Sequence, residues 1–152
     1  MMTFTHKLTN TKNLFSLTAL LLIFIAVSCA PKYNPTPAPD RLLPEIKTVA
    51  ATFGQSGNVV ENFYLDFVSL GNVPIEEYGI VYAFLPDTTA VNLVIGGSYP
   101  TAKFKNAPRI GANKETFKIV FPTGMHALSY RAYAKVVGGE VRYASNQLNK
   151  TY

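Results

Sequence analysis

Leu128-Ser129-Tyr130-Arg131-Ala132-Tyr133-Ala134-Lys135 reads with a period of two. Leu128, Tyr130, Ala132 and Ala134 fall on one side, and Ser129, Arg131, Tyr133 and Lys135 on the other. Successive side chains of an extended strand point to opposite faces, so the first row faces a core and the second covers the sheet. Gly138-Gly139 then supplies a tight hairpin turn into Val141-Arg142-Tyr143 and a last strand running through Leu148.

The same period extends upstream. Val49, Ala51 and Phe53 alternate with Thr48, Ala50 and Thr52 before a turn at Gly54-Gln55-Ser56-Gly57-Asn58. Phe63, Leu65 and Phe67 alternate with Tyr64, Asp66 and Val68, and Gly71-Asn72-Val73-Pro74 turns the chain again. Tyr78 to Phe84 is apolar on both faces, as a central strand is, and Pro86-Asp87 breaks it. Val91, Leu93 and Ile95 predict a shorter strand stopping at Gly96-Gly97. Ser98 to Lys114, with Pro100, Pro108 and Gly111, predicts a loop holding one short edge strand near Lys103. Phe117, Ile119 and Phe121 alternate with Lys118 and Val120. Strands at this spacing, with turn signals between them and no helical period, predict an all-β sandwich or small barrel.

Two segments go further. Glu77-Tyr78-Gly79-Ile80-Val81-Tyr82 resembles the third strand of the fibronectin type III-like modules of bacterial exported proteins. Tyr130-Arg131-Ala132-Tyr133-Ala134, with Gly139 and Tyr143-Ala144-Ser145-Asn146 after it, is similar to their sixth-to-seventh strand hairpin. The resemblance implies an immunoglobulin-like antiparallel sandwich of about seven strands over residues 45–152. One position departs: Leu128 stands where that family has a tyrosine tied back to the preceding corner, and Pro122-Thr123-Gly124-Met125 replaces the usual approach to it.

The N-terminal third is organised around Leu14 to Cys29, an apolar run preceded by Lys7 and Lys12 and ending at the only cysteine. A basic start, an apolar centre of about fourteen residues and small residues at the end are the layout of a secretory signal over residues 1–28. A spanning helix, the alternative, needs about twenty apolar residues, and the run is short of that. Ala26-Val27-Ser28-Cys29 resembles the lipobox of bacterial lipoproteins. That resemblance implies cleavage before Cys29 and lipid on its sulfur, which anchors the chain to a membrane. Residues 29–44 then form a tether in which Pro31, Pro35, Pro37, Pro39 and Pro44 favour extended polyproline II, a semi-rigid spacer reaching some 45 Å at about 3.1 Å per residue. A ligand for a proline-reading domain is the alternative for this stretch. After Cys29, Ala30-Pro31-Lys32-Tyr33-Asn34 carries no acidic cluster of the kind that, in some such bacteria, sends lipoproteins to the cell surface. The expectation is therefore an outer-membrane lipoprotein on the periplasmic face.

Composition narrows the chemistry. The chain's +5 charge becomes about +3 once Lys7 and Lys12 are set aside, and its basic residues are scattered, unlike the concentrated stripe of a nucleic-acid binder. With no second cysteine there is no disulfide, so about 108 residues must hold together by packing. His126, in the turn after Gly124-Met125, has no partner histidine beyond the signal segment and no free thiol with which to build a transition-metal site. Glu76-Glu77 is the only adjacent acidic pair, and strand neighbours point apart. Gly96-Gly97 and Gly138-Gly139 read as hairpin turns and not as phosphate loops. The expectation is a non-enzymatic domain without cofactor or metal.

Recognition remains. In the module implied by the resemblance, Arg131, Tyr133 and Lys135 project away from the core, with Arg142 beside them on the same sheet. An aromatic among cations suits a protein or glycan partner, although such residues also merely cover sheets with their long stems. Tyr99, Phe104 and Arg109 in the 98–114 loop are an equal candidate contact site. Asp87-Thr88-Thr89 is similar to a short O-glycosylation sequence of Gram-negative exporters, with Thr88 as acceptor. The expected role is protein interaction or assembly at the envelope, with glycan binding or adhesion as the alternative.

Overall fold

The structure is a computed structural model describing residues 39–152. The expected signal segment, Cys29 and the expected tether as far as Ala38 lie outside the described residues. Asp40–Tyr152 forms one compact unit. Eight strands follow in order: β1 (Glu45–Phe53), β2 (Val59–Ser69), β3 (Ile75–Leu85), β4 (Thr101–Lys103), β5 (Gly111–Val120), β6 (Ala127–Val136), β7 (Val141–Tyr143) and β8 (Leu148–Thr151). They make two antiparallel sheets, one ordered β1-β2-β5 and the other β4-β3-β6-β7, with β8 also paired to β6. The architecture is an all-β sandwich.

The alternating rows close the core as their period dictates. Phe63, Leu65 and Phe67 of β2 meet Tyr78 and Ile80 of β3 and Leu128, Tyr130, Ala132 and Ala134 of β6. Phe63 sits at the centre, 5.6–5.9 Å from the rings of Tyr82, Phe117 and Tyr130. Tilted aromatic pairs at this separation add about 0.5–1.5 kcal/mol each beyond the area they bury.

Two elements differ from expectation. Val91 to Ile95 is not a strand: it crosses the outer face of the larger sheet as a strap, and Leu93 is fully buried there with Val81, Ala83 and Tyr133. An apolar alternation is equally served by packing onto a sheet as by pairing within one. β5 begins at Gly111, six residues before the expected Phe117. Its first inward side chain, Asn113, is polar and so invisible to hydrophobic periodicity. Asn113 is nevertheless buried, because Nδ2 donates to the carbonyls of Arg109 (2.7 Å) and Gly111 (2.8 Å) while Oδ1 accepts from the Arg109 N–H (3.1 Å). The short edge strand near Lys103 is present as β4.

The edge between the sheets is closed by Thr48 of β1. Its hydroxyl accepts from the Ala132 N–H of β6 (3.0 Å) and donates to the Asn146 carbonyl (2.7 Å). The Asn146 side-chain amide completes the joint, its Oδ1 accepting from the Thr48 N–H (2.9 Å) and its Nδ2 donating to the Thr48 carbonyl (2.8 Å). The hydroxyl therefore occupies a rung of the ladder between β6 and the last strand, which is why that strand is divided into β7 and β8. A second link lies at the register shift between Val49 and Thr52, where the Ala51 N–H donates to the Tyr130 hydroxyl (3.0 Å). Leu128 is buried, and the corner before it is a plain turn in which the Met125 N–H donates to the Pro122 carbonyl (3.0 Å). The tyrosine on this strand thus ties β6 to β1.

Residues 40–44, at the end of the expected tether, run along the domain. The Leu42 carbonyl accepts from the Asn72 N–H (2.9 Å), and the Leu42 N–H donates to Asn72 Oδ1 (2.8 Å). Gly71 is needed beneath them: its φ is +66°, and a Cβ there would lie 2.2 Å from the Leu42 carbonyl oxygen.

Thr48→Val keeps the side-chain volume but leaves the Ala132 N–H without a partner, and should cost about 2 kcal/mol in denaturant unfolding. Thr48→Ser retains both bonds and should cost well under half of that. Equal losses from the two variants would remove the bridging role from the hydroxyl.

Candidate functional site

The expected face on β6 does not exist as one surface. Tyr133 is fully buried under the strap, among Leu93, Val81 and Ala83. Its hydroxyl donates to Glu77 Oε1 (2.8 Å), whose other oxygen takes Lys103 Nζ at 2.6 Å. Arg131 is held down as well. Its Nε donates to the Ala144 carbonyl (2.7 Å), and its guanidinium lies 5.2 Å from the Tyr143 ring centre. Lys135 pairs with Glu76 at 3.6 Å. Arg142 is directly opposite Ala134, a residue of the main core, so it belongs to the other face of the sheet from Tyr133. There it lines a cleft of about 400 Å³ with Leu43, Lys47 and Ser145. The strap removes Tyr133 from the surface, and the pairing of Arg142 with Ala134 puts Arg142 on the opposite face, so the four side chains expected together are separated for two different reasons.

The strap is pinned at several points. The Ile95 N–H donates to the Tyr143 hydroxyl (3.0 Å), and Gln147 Nε2 donates both to the Val91 carbonyl (3.2 Å) and to Ser129 Oγ (2.7 Å). Tyr99 packs into the same cluster. Phe104, the second expected loop contact, is instead a core residue, 5.4 Å from Tyr78 and 6.2 Å from Phe117. Of the loop trio only Arg109 is exposed. Thr88 is exposed in the turn where the Thr89 N–H donates to Asp87 Oδ1 (2.9 Å). His126 is exposed, its ring 6.0 Å from that of Tyr152.

Glu76 lies within the register shift between Ile75 and Glu77, and each of the two glutamates has its own cation. The Lys103 hydrogen bond draws the Glu77 carboxyl below its ordinary range, aided by the Tyr133 hydroxyl and opposed by burial. Burial first, and the Glu77 carboxylate second, push the Tyr133 hydroxyl up. It is therefore a fixed donor at any physiological pH.

With the larger sheet capped, the open surface is the outer face of the β1-β2-β5 sheet. Tyr64 of β2 lies at its middle, opposite Val49 on one side and Lys114 on the other. Lys114 Nζ is 5.9 Å from the Tyr64 ring centre. The next row is a hydrogen-bonded ladder: Asn62 Nδ2 donates to Thr52 Oγ1 (2.7 Å), and Thr116 Oγ1 donates to Asn62 Oδ1 (2.8 Å). Lys114 also borders a cleft of about 370 Å³ lined by Arg109, Asn106, Asn113 and Tyr78. The Tyr78 hydroxyl there donates to the Asn106 carbonyl (2.8 Å), and burial raises its pKa above the usual 10.0. Around the Tyr64 ring this surface offers a row of hydroxyls and an amide, with Lys114 and Lys118 on β5 and Lys47 opposite Asp66 on β1. That inventory suits stacking and hydrogen-bonded recognition. Tyr64 was legible as outward-facing from the alternation at 63–67; only the capping of the rival sheet singles it out.

Among the described residues no group of three His, Cys, Asp or Glu side chains is placed to hold a metal ion, and no helix is long and apolar enough to cross a membrane. No family model, curated protein or solved structure matches this chain.

Because the Glu77 pKa is lowered on folding, its contribution to stability is present above the ordinary 4.5 and fades as pH falls from there through the folded value. Glu77→Gln should therefore flatten the dependence of unfolding free energy on pH below about 4.5. Chemical denaturation at stepped acid pH tests this; parallel curves for the two proteins would contradict it.

Proposed function

We propose that this chain is a non-enzymatic lipoprotein, held at the periplasmic face of the outer membrane by lipid on Cys29, that presents a fibronectin type III-like module for protein interaction or assembly at the envelope. The N-terminal apolar run ending in Ala26-Val27-Ser28-Cys29 supports the anchor. The packing of a β1-β2-β5 sheet on one centred on β3 and β6 supports the module type, since immunoglobulin-like sandwiches set their first, second and fifth strands against their third, sixth and seventh. The divided last strand and the Tyr130 link to Ala51 are this chain's own departures from that pattern.

One observation carries the interaction role. The larger sheet covers its outer face with its own strap, while the smaller leaves Tyr64 half exposed between Lys114 and Val49. Tyrosine is one of the residues enriched among the anchors of protein interfaces. The second reading, a glycan-binding or adhesion module, is favoured by the Thr52–Asn62–Thr116 ladder beside the ring, which presents the donors and acceptors that sugar hydroxyls match.

Cys29→Ser should shift the protein from the membrane fraction to the soluble envelope fraction on cell fractionation; unchanged membrane association would argue for a retained helix instead. Tyr64→Ala should weaken partner capture about tenfold or more, the effect of losing some 1.4 kcal/mol or more of anchor energy, with no change in melting temperature. Crosslinking and pull-down from cells reads the protein arm, and a glycan array reads the other. Undiminished capture by Tyr64→Ala in both would move the contact away from this face.

A further inference from the structure

We infer that the end of the sandwich at which the chain enters rests on the lipid bilayer itself, resting in turn on the lipidated Cys29 of the proposed function. Six large apolar side chains are exposed among the described residues, and four of them gather at this one end: Leu42 (59%), Val68 (43%), Ile110 (69%) and Val137 (48%). Their proximity is set by bonds around the β2–β3 turn. Leu42 is hydrogen-bonded to Asn72, the Val137 N–H donates to the Pro74 carbonyl (2.9 Å), and Arg41 donates to the Val137 carbonyl (3.0 Å). Ile110 forms an isolated bridge with Phe67, next to Val68. Between them runs an apolar groove of about 260 Å³ lined by Leu70, Val73, Pro74, Ile75 and Pro108.

At the far end exposure has a different character. The Tyr152 ring meets Phe121 edge-on at 4.9 Å, leaving Val120 as the lone outward aliphatic. Clustered exposed apolar groups mark a surface meant to be covered, whereas single ones do not.

The occupant follows from where the described chain begins. Asp40 leads into this end, and ten residues, Ala30–Pro39, separate it from Cys29. At about 3.1 Å per residue they reach about 31 Å, enough to let the domain lie on the bilayer or stand clear of it. The tether therefore leaves the choice to the domain's own surface. An aliphatic rim on the anchored end favours lying down, since such side chains partition into the headgroup boundary. Lys105 and Arg109, exposed on the same loop as Ile110 and in no ion pair within the described residues, suit anionic headgroups beside it.

The test uses the full lipidated protein in phosphatidylethanolamine–phosphatidylglycerol vesicles. Lipid on Cys29 blocks the native thiol, so Ile110→Cys, Leu42→Cys and Val120→Cys each present one site for an environment-sensitive fluorophore. Labels at 110 and 42 should emit blue-shifted and be quenched by brominated lipid, and the label at 120 should do neither. Adding Ile110→Glu and Leu42→Glu to a Val137→Cys protein should abolish quenching there while the protein still floats with the vesicles. Water-like emission at all three positions overturns the inference. So does a blue shift at 110 that brominated lipid leaves unquenched, which would assign the rim to a protein partner or a second copy. Flotation separates the premise from the proposal: protein that fails to float overturns the anchor and the docking together, whereas floating protein with unquenched labels overturns the docking alone.

Discussion

One side-chain hydroxyl joins the two sheets at their edge. Thr48 stands on the first strand, yet it receives the Ala132 N–H of the sixth and returns a bond to Asn146. A buried peptide group left unpaired costs about 1–3 kcal/mol, so a ladder interrupted at this point needs a substitute of matching polarity. The threonine hydroxyl, both donor and acceptor, is that substitute. The Asn146 amide answers in kind by pairing both backbone groups of Thr48, as a neighbouring strand would. The division of the last strand and the position of β1 against β6 both follow from this exchange.

β6 has a second consequence. Nearly every side chain along it is buried, because the core covers one face and the Val91–Tyr99 strap covers the other. Tyr133 could not otherwise be inside: its hydroxyl needs Glu77, and Glu77 needs Lys103. Capping one sheet in this way leaves the open face to the other sheet, and the chain's entry leaves an aliphatic rim at one end. Tyr64 is left half exposed on the smaller sheet, and Ile110 is the most exposed large apolar side chain among the described residues.

Much of the fold was legible in the residues. The rows at 63–67 and 128–134, the Gly138-Gly139 hairpin and the short edge strand near Lys103 all lie where a period of two and the turn residues place them. Strand β5 is longer than its apolar alternation predicts because its first inward residue is Asn113, whose burial depends on three bonds to a loop that a hydrophobic pattern does not register. Val91, Leu93 and Ile95 predict a strand because an apolar row has the same appearance whether its backbone pairs with a neighbour or lies across a sheet. The candidate face failed for the same reason. Alternation correctly put Arg131, Tyr133 and Lys135 on one side, but a sheet face is a surface only if nothing covers it.

The sequence by itself determined an all-β domain built from alternating rows, without a disulfide to support it, behind an apolar N-terminal run that ends at the lone cysteine. Those properties are local: side-chain period, turn chemistry and residue counts carry them without reference to distant parts of the chain. Tertiary structure alone decided which sheet face is open, that Thr48 and Asn146 meet across ninety-eight positions, and that Leu42, Ile110 and Val137 share one end. These depend on contacts between segments far apart in the chain, and no local pattern encodes which distant segment will arrive to cover a given row of side chains.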